Sequence, residues 1–240
     1  MNILAIGNSF SQDATRYLHG IARADGVSLE VVNLYIGGCS LERHYRNMLS
    51  GESAYGLEIN GHKTGFFVSF NEALLNRRWD IITLQQASPD SAKKDSYTPY
   101  IEALADYVKE YQPKAKIYIH QTWAYEKDSA RLKEVAGFET PKDMMSAVRD
   151  AYKSVSDMIN ADGIIPSGDV FEKILESGVE KIHRDTFHAS YGLGRYALAL
   201  TWYKALTGND VTNNSFCDFD EKISEKEIAI AKNCVQDIVK

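Results

Sequence analysis

Short aliphatic runs recur along the chain, each closed off by Gly, Pro or polar residues. They lie at Ile3-Leu4-Ala5-Ile6, within Ser28 to Ile36, within Trp79 to Leu84, within Ala115 to Gln121 and within Gly163 to Gly168. Runs of this length suit strands buried on both faces, and Pro166 assigns the last one to an edge or a strand end. Between them, apolar residues return at helical spacing over 13–22, 41–49, 70–78, 97–111, 142–161, 170–176, 190–206 and 221–239. Pro99 sets the start of one of these helices and Pro113 follows its end, while Gly208 stands just past another. Residues 127–141 read as a surface loop or a frayed helix. Tyr55 to Ile59 and His62 to Phe70 flank Asn60-Gly61, the pair that supplies the positive φ angles of a type I′ turn. That stretch reads as a small β-hairpin insertion near residues 55–70, set beside the main sheet.

Strands alternating with helices call for a parallel sheet covered on both faces, with right-handed crossovers. The expected fold is therefore α/β: a three-layer α/β/α sandwich on a five-stranded parallel sheet, with residues 1–240 forming a single domain. In such a sheet every loop that follows a strand opens on one edge, where ligands bind. The loops carrying Ser9, Gly38, Gln86 and His120 should meet there.

Composition narrows the function. The 240 residues carry a net charge of −6 and no basic block, which argues against nucleic acid and anionic membranes as partners. No apolar run approaches the roughly 18 residues of a membrane span. The first strand pattern begins at once, without a leader-like segment, so a cytoplasmic location is expected. Cys39, Cys217 and Cys234 are odd in number and widely spaced, which fits a reducing compartment and neither a disulfide framework nor a zinc cluster. No His, Asp or Glu group has metal-ligand spacing, so neither metal nor cofactor is expected. Oligomeric state is not legible.

The candidate chemistry begins at Gly7-Asn8-Ser9-Phe10-Ser11, where the first strand turns into the first helix. Read alone, Ser9 or Ser11 is a helix cap. Late in the chain stands Asp185-Thr186-Phe187-His188. A serine needs a base to act as a nucleophile near neutral pH, and imidazole is the usual one. An acid three residues before a histidine can hold Nδ1 while Nε2 points at Ser9. The bland alternatives are a loop histidine near a helix capped by Ser190 and a solvated Asp185.

These blocks resemble those of the SGNH (GDSL-type) hydrolases, and within them the bacterial DUF4886 branch. Gly7-Asn8-Ser9 is similar to the Gly-Asp-Ser block, Gly37-Gly38 to the glycine block and Asp185-x-x-His188 to the last block. The resemblance implies a flavodoxin-like sandwich and a serine esterase. Ser9 would be the nucleophile, His188 the general base and acid, and Asp185 the orienting acid. The N–H groups of Ser9 and Gly38 would form the oxyanion hole. The implied substrates are small acyl esters, acetyl groups on carbohydrates among them. One block departs from the family: Leu84-Gln85-Gln86-Ala87-Ser88 lacks its Asn. The amide of Gln86, or else of Gln85, is the candidate third donor; otherwise both are polar loop residues. Gln121, Trp123 and Tyr125 leave the fourth strand on the same edge and are candidate substrate contacts, the two rings as a wall for a sugar or else as packing. Two other readings stay open. One is a flavodoxin-like module cradling a phosphate at Gly7-Asn8-Ser9, which leaves Asp185 and His188 idle. The other is a non-catalytic carbohydrate binder.

Overall fold

The computed structural model describes residues 1–240. In chain order the elements are β1 (Asn2–Gly7), α1 (Ser9–Thr15), α2 (Leu18–Ala24), β2 (Glu30–Tyr35), α3 (Leu41–Ser50), β3 (Tyr55–Ile59), β4 (His62–Val68), α4 (Phe70–Leu75), β5 (Ile81–Leu84), α5 (Tyr100–Tyr111), β6 (Lys116–His120), α6 (Ala130–Glu134), α7 (Pro141–Met158), β7 (Gly163–Ile165), α8 (Ser167–Glu176), α9 (Leu193–Thr207) and α10 (Glu225–Ile238). One sheet of seven strands runs in the order β4-β3-β2-β1-β5-β6-β7. The five strands from β2 to β7 are parallel, in the order expected of a flavodoxin-like sheet. β1 lies near the middle, with Ile3, Leu4 and Ala5 fully buried, so its carboxyl end is a fixed platform for whatever follows.

The hairpin corrects the sequence reading. It is not set beside the sheet but extends it: β3 pairs antiparallel with β2 from Val32↔Ile59 to Tyr35↔Gly56. The cause is local. Asn60 and Gly61 adopt φ 52° and 80°, which folds β4 back along β3. Asn60 also exchanges hydrogen bonds with Val31, its N–H to the carbonyl at 2.8 Å and its Oδ1 to the N–H at 2.9 Å. Gly61 is required for a second reason: a Cβ there would lie 2.2 Å from the Arg16 carbonyl oxygen. The edge of β2, which would otherwise offer bare N–H and C=O groups, is thereby covered.

Helices α1, α2, α8, α9 and α10 pack together on one side, and α3, α4 and α5 on the other. α9 is buried all round from Tyr196 to Tyr203, as befits a helix lying between sheet and other helices. Three helix readings shift. The helix expected over 13–22 is two helices, and it starts at Ser9; the Thr15 hydroxyl donates to the Ser11 carbonyl at 2.9 Å, a back-bond that bends helices. Residues 127–141 contain the short α6. The helix expected from Ser190 begins at Leu193, with the Ser190 hydroxyl accepting from Gly194 N–H at 2.8 Å. No helix is long and apolar enough to cross a membrane.

Three buried histidines make the fold acid-sensitive. Burial lowers the imidazoles of His44 and His120 to about 3 and that of His183 to about 4. The unfolded chain takes up these protons near pH 6.5, so it binds more protons than the native state below that pH. Stability is therefore intact above about 6.5 and falls as pH drops, by about 1.4 kcal/mol per unit per histidine. Urea midpoints measured from pH 7 to pH 4.5 should decline steadily; a flat series would contradict neutral burial of these rings.

Candidate active site

The site is built at the carboxyl end of β1. Asn8, at φ −146°, is the N-cap of α1, its Oδ1 accepting from Phe10 N–H at 3.0 Å. The cap is therefore neither Ser9 nor Ser11. Ser9, the first residue of the helix, keeps its hydroxyl for another partner, and its N–H has no intrahelical acceptor. Ser11 turns inward, its hydroxyl 2.7 Å from Asn33 Oδ1.

The partner arrives from the far end of the chain. His183 bridges Ala189, and Arg184 N–H donates to the His188 carbonyl at 3.0 Å, so residues 183–189 form a tight loop with Thr186 at φ 72°. Within it Asp185 accepts from the His188 N–H with Oδ1 at 2.8 Å and meets His188 Nδ1 with Oδ2 at 2.7 Å. Burial alone would raise the Asp185 carboxyl, but these bonds from His188 outweigh it and hold it below the usual value. His188 Nε2 then lies 2.8 Å from Ser9 Oγ. Phe187 and Phe10 flank the imidazole, with ring centroids at 4.0 and 5.9 Å. Ser9, His188 and Asp185 are thus brought into one hydrogen-bonded line.

Gly38 sits on the next loop over. Cys39 N–H donates to Ile36 C=O at 3.2 Å and Gly38 has φ 62°, the left-handed angle that the third position of a type II turn requires. Nothing lies within 4 Å of where its Cβ would be. Conformation, not crowding, calls for glycine here, and the turn faces open space.

The two glutamines are committed elsewhere. Gln86 Oε1 accepts from Leu41 N–H at 3.0 Å and from Ala87 N–H at 2.9 Å, while its Nε2 donates to the Ser96 carbonyl and hydroxyl at 3.0 Å. It stitches the start of α3 to the loop before α5. Gln85 Nε2 donates to Asn8 Oδ1 at 2.7 Å, and its Oε1 accepts from His120 Nδ1 at 2.7 Å. His120 Nε2 in turn meets the Ser167 hydroxyl at 3.1 Å. This line of buried groups crosses the ends of four strands, β1, β5, β6 and β7, and fixes Asn8, whose Nδ2 donates to the Cys39 carbonyl at 3.0 Å. Asn8 thereby ties the Ser9 turn to the Gly38 turn. Gln86→Ala should lower stability by about 1–3 kcal/mol, because buried partners lose their bonds. It should change kcat on an ester substrate only a few-fold, against the hundred- to thousand-fold loss expected on deleting an oxyanion donor. Parallel urea unfolding and steady-state kinetics separate the two roles.

The expected substrate wall is a correction. Trp123 and Tyr125 are 0 % and 1 % exposed. Trp123 stacks on Phe10 at 3.9 Å between centroids, and its Nε1 donates to the Phe187 carbonyl at 2.8 Å. The Tyr125 hydroxyl pairs with Ser88 at 2.8 Å. Gln121 Oε1 accepts from Gly168 and Asp169 N–H at 3.1 and 3.2 Å at the start of α8. Trp123 and Tyr125 lie against Phe187 of the 183–189 loop, whereas Gln121 is tied to α8.

Sequence reasoning missed Asp13. It is 0 % exposed, one turn along α1 from Ser9 and so on the same helix face. Arg184 Nη1 reaches its two oxygens at 3.0 and 2.8 Å, and Arg195 Nε reaches Oδ1 at 2.9 Å. Burial raises the Asp13 carboxyl above its usual value, and the two guanidiniums only partly offset it. Arg184 also donates to the Ala189 carbonyl. The helix that carries Ser9 is thus clamped to the loop that carries Asp185 and His188. No local pattern marks an acid whose partners lie 171 and 182 positions away.

The fold is shared with solved structures of SGNH and GDSL-type hydrolases. A protein from Slackia heliotrinireducens designated an SGNH hydrolase superposes with a TM-score of 0.63 at 21 % identity, over 86 % of this chain and 98 % of its own. Axe2, an acetylxylan esterase from Geobacillus stearothermophilus, superposes with a TM-score of 0.54 at 16 % identity, over 85 % and 92 %. The chain belongs to the DUF4886 family, a domain of unknown function, whose model matches residues 2–238. A DUF4886 family protein from Bacteroides uniformis is 34 % identical and superposes with a TM-score of 0.91, over 99 % of this chain and 93 % of its own. No curated protein sequence matches.

Proposed function

We propose that the protein is a serine esterase that hydrolyses small acyl esters, acetyl esters of carbohydrates in particular, through an acyl-enzyme. One observation carries the reading: Ser9 Oγ, His188 Nε2, His188 Nδ1 and Asp185 Oδ2 are joined by contacts of 2.8 and 2.7 Å. His188 takes the Ser9 proton as Oγ attacks the ester carbonyl. The N–H groups of Ser9 and Gly38 receive the charge that develops on the carbonyl oxygen. His188 then gives its proton to the departing alcohol. Water, deprotonated by the same ring, releases the acid and restores Ser9. Asp185 holds the tautomer with Nδ1 protonated and steadies the imidazolium. The acetyl-carbohydrate part of the reading is supported by the shared fold of Axe2.

The commitment of Gln85 and Gln86 leaves the hole on two main-chain donors. That favours a slow enzyme, and it is the one observation behind a second reading, a carbohydrate binder without turnover. A phosphate cradle at Gly7-Asn8-Ser9 has less support, since Asn8 already takes the Phe10 N–H. Labelling with a fluorophosphonate, followed by mass-spectrometric mapping, tests the esterase reading. Modification at Ser9 is the expected result; modification at another residue, or none, refutes it.

A further inference from the structure

The hairpin carries groups that the proposed chemistry leaves unused. Phe66 and Phe67 on the outer strand β4 are 71 % and 67 % exposed, although large aromatic rings are ordinarily well buried. With Tyr35, Ile36 and Leu57 they line an open hollow of about 370 Å³. Gly37, Gly56 and Gly65 also line it and contribute no side chains. Its charged side chains are two. Glu58 reaches Gln12 on α1 and Asn33 on β2 with its two carboxylate oxygens, the latter at 2.8 Å. Lys63 holds its ammonium 5.8 Å from the centre of the Tyr35 ring.

The hollow adjoins Ser9 by two routes. Gly37 is one Cα step, about 3.8 Å, from Gly38. Gln12, bonded to Glu58, lies three residues beyond Ser9 on the same helix face. The strand order puts the hollow on the β2 side of β1. His188 approaches instead with the loop that packs on Trp123 and Tyr125 after β6. A group resting in the hollow therefore leaves the His188 side of Ser9 clear for the departing oxygen and for water.

We propose that this hollow is a sugar subsite, an aromatic platform that takes the pyranose next to the one whose ester lies at Ser9. The assignment rests on the esterase reading and extends it to a stretch of glycan longer than one unit. Rings two-thirds exposed do not enclose a hydrocarbon chain, and binding such a chain depends on enclosure. They do offer flat apolar faces to the C–H face of a pyranose while its hydroxyl groups remain in water. The Lys63 ammonium, with three donors, stands at the rim for the hydroxyl groups nearest the platform.

The test compares the wild type, Phe66→Ala/Phe67→Ala and, as a control, Leu75→Ala, an exposed apolar residue on α4. The substrates are acetylated xylotetraose, p-nitrophenyl acetate and p-nitrophenyl octanoate. In the double variant, the ratio of kcat/KM for acetylated xylotetraose to that for p-nitrophenyl acetate should fall about tenfold, mostly through KM, as loss of two stacking faces predicts. Leu75→Ala should leave that ratio within about twofold, as expected of a surface change. An unchanged ratio in the double variant, or a fall confined to the octanoate, overturns the platform. Calorimetry on Ser9→Ala, with and without the two Phe substitutions, measures binding of unacetylated xylotetraose, cellotetraose and mannotetraose without turnover. Binding of at least one, lost with the two rings, supports the platform even if no ester is hydrolysed, in which case only the esterase reading falls. No binding of any of the three overturns the platform even if esters are hydrolysed.

Discussion

Ser9→Ala is expected to lower kcat/KM on p-nitrophenyl acetate by on the order of 10⁶-fold and to leave the fold intact. The two halves of that result have separate causes. The Ser9 hydroxyl is the only group here with a base 2.8 Å away and an acid behind that base. Without it, His188 can at most activate water. The hydroxyl is not the helix cap, because Asn8 supplies that bond. Its loss should therefore change the urea midpoint by less than the equivalent of about 1 kcal/mol. A variant that hydrolyses the ester as fast as the wild type would remove Ser9 from the mechanism. A variant that loses both activity and fold would mean that the turn depends on Ser9 for its shape.

Asp13→Ala should have the largest effect on stability. Asp13 has no exposed surface, and the substitution leaves Arg184 and Arg195 without the carboxylate between them. Breaking a buried pair on one side costs about 3–5 kcal/mol. In a chain of this size each kcal/mol is worth roughly 2–4 °C, so a fall in Tm of about 10 °C is expected. Activity should fall further than the folded fraction explains, because the same ion pairs fix the 183–189 loop against α1. Asp13→Asn separates shape from charge: it keeps the volume and should still lose most of the stability. A fall in Tm of less than about 3 °C in both variants would show that the arginines find other partners.

The particular elements explain what could be read in advance. The five parallel strands announce themselves because each is a short aliphatic run with polar punctuation. Asn60-Gly61 gives the hairpin for an equally local reason. Its attachment to β2 was not legible, since antiparallel pairing with an edge is a choice among surfaces. Ser9, Asp185 and His188 stand out as short blocks in the sequence, and the fold brings their side chains together. Gln85 and Gln86 were misleading because an amide at a strand end reads the same whether it faces a substrate or another buried side chain. Gln85 faces Asn8 and His120, and only the fold brings those together. Trp123 and Tyr125 misled for a similar reason: a ring after a strand can line a cleft or support the loop above it. The role of Asn8 as cap was within reach, for Asn is a preferred cap and Ser9 follows it.

The distance along the chain between Ser9 and His188, 179 positions, has a consequence for biosynthesis. Ser9 is synthesised 179 residues ahead of His188. Contacts of such long range form late and close large loops at an entropic cost. A nascent or truncated chain ending before residue 183 carries Ser9 without His188 and without the arginines that clamp α1. Reactivity at Ser9 is thus a folding reporter: a fluorophosphonate should stay silent until the 183–189 loop has docked onto α1, and its rate of labelling after dilution from urea should track the last step of refolding.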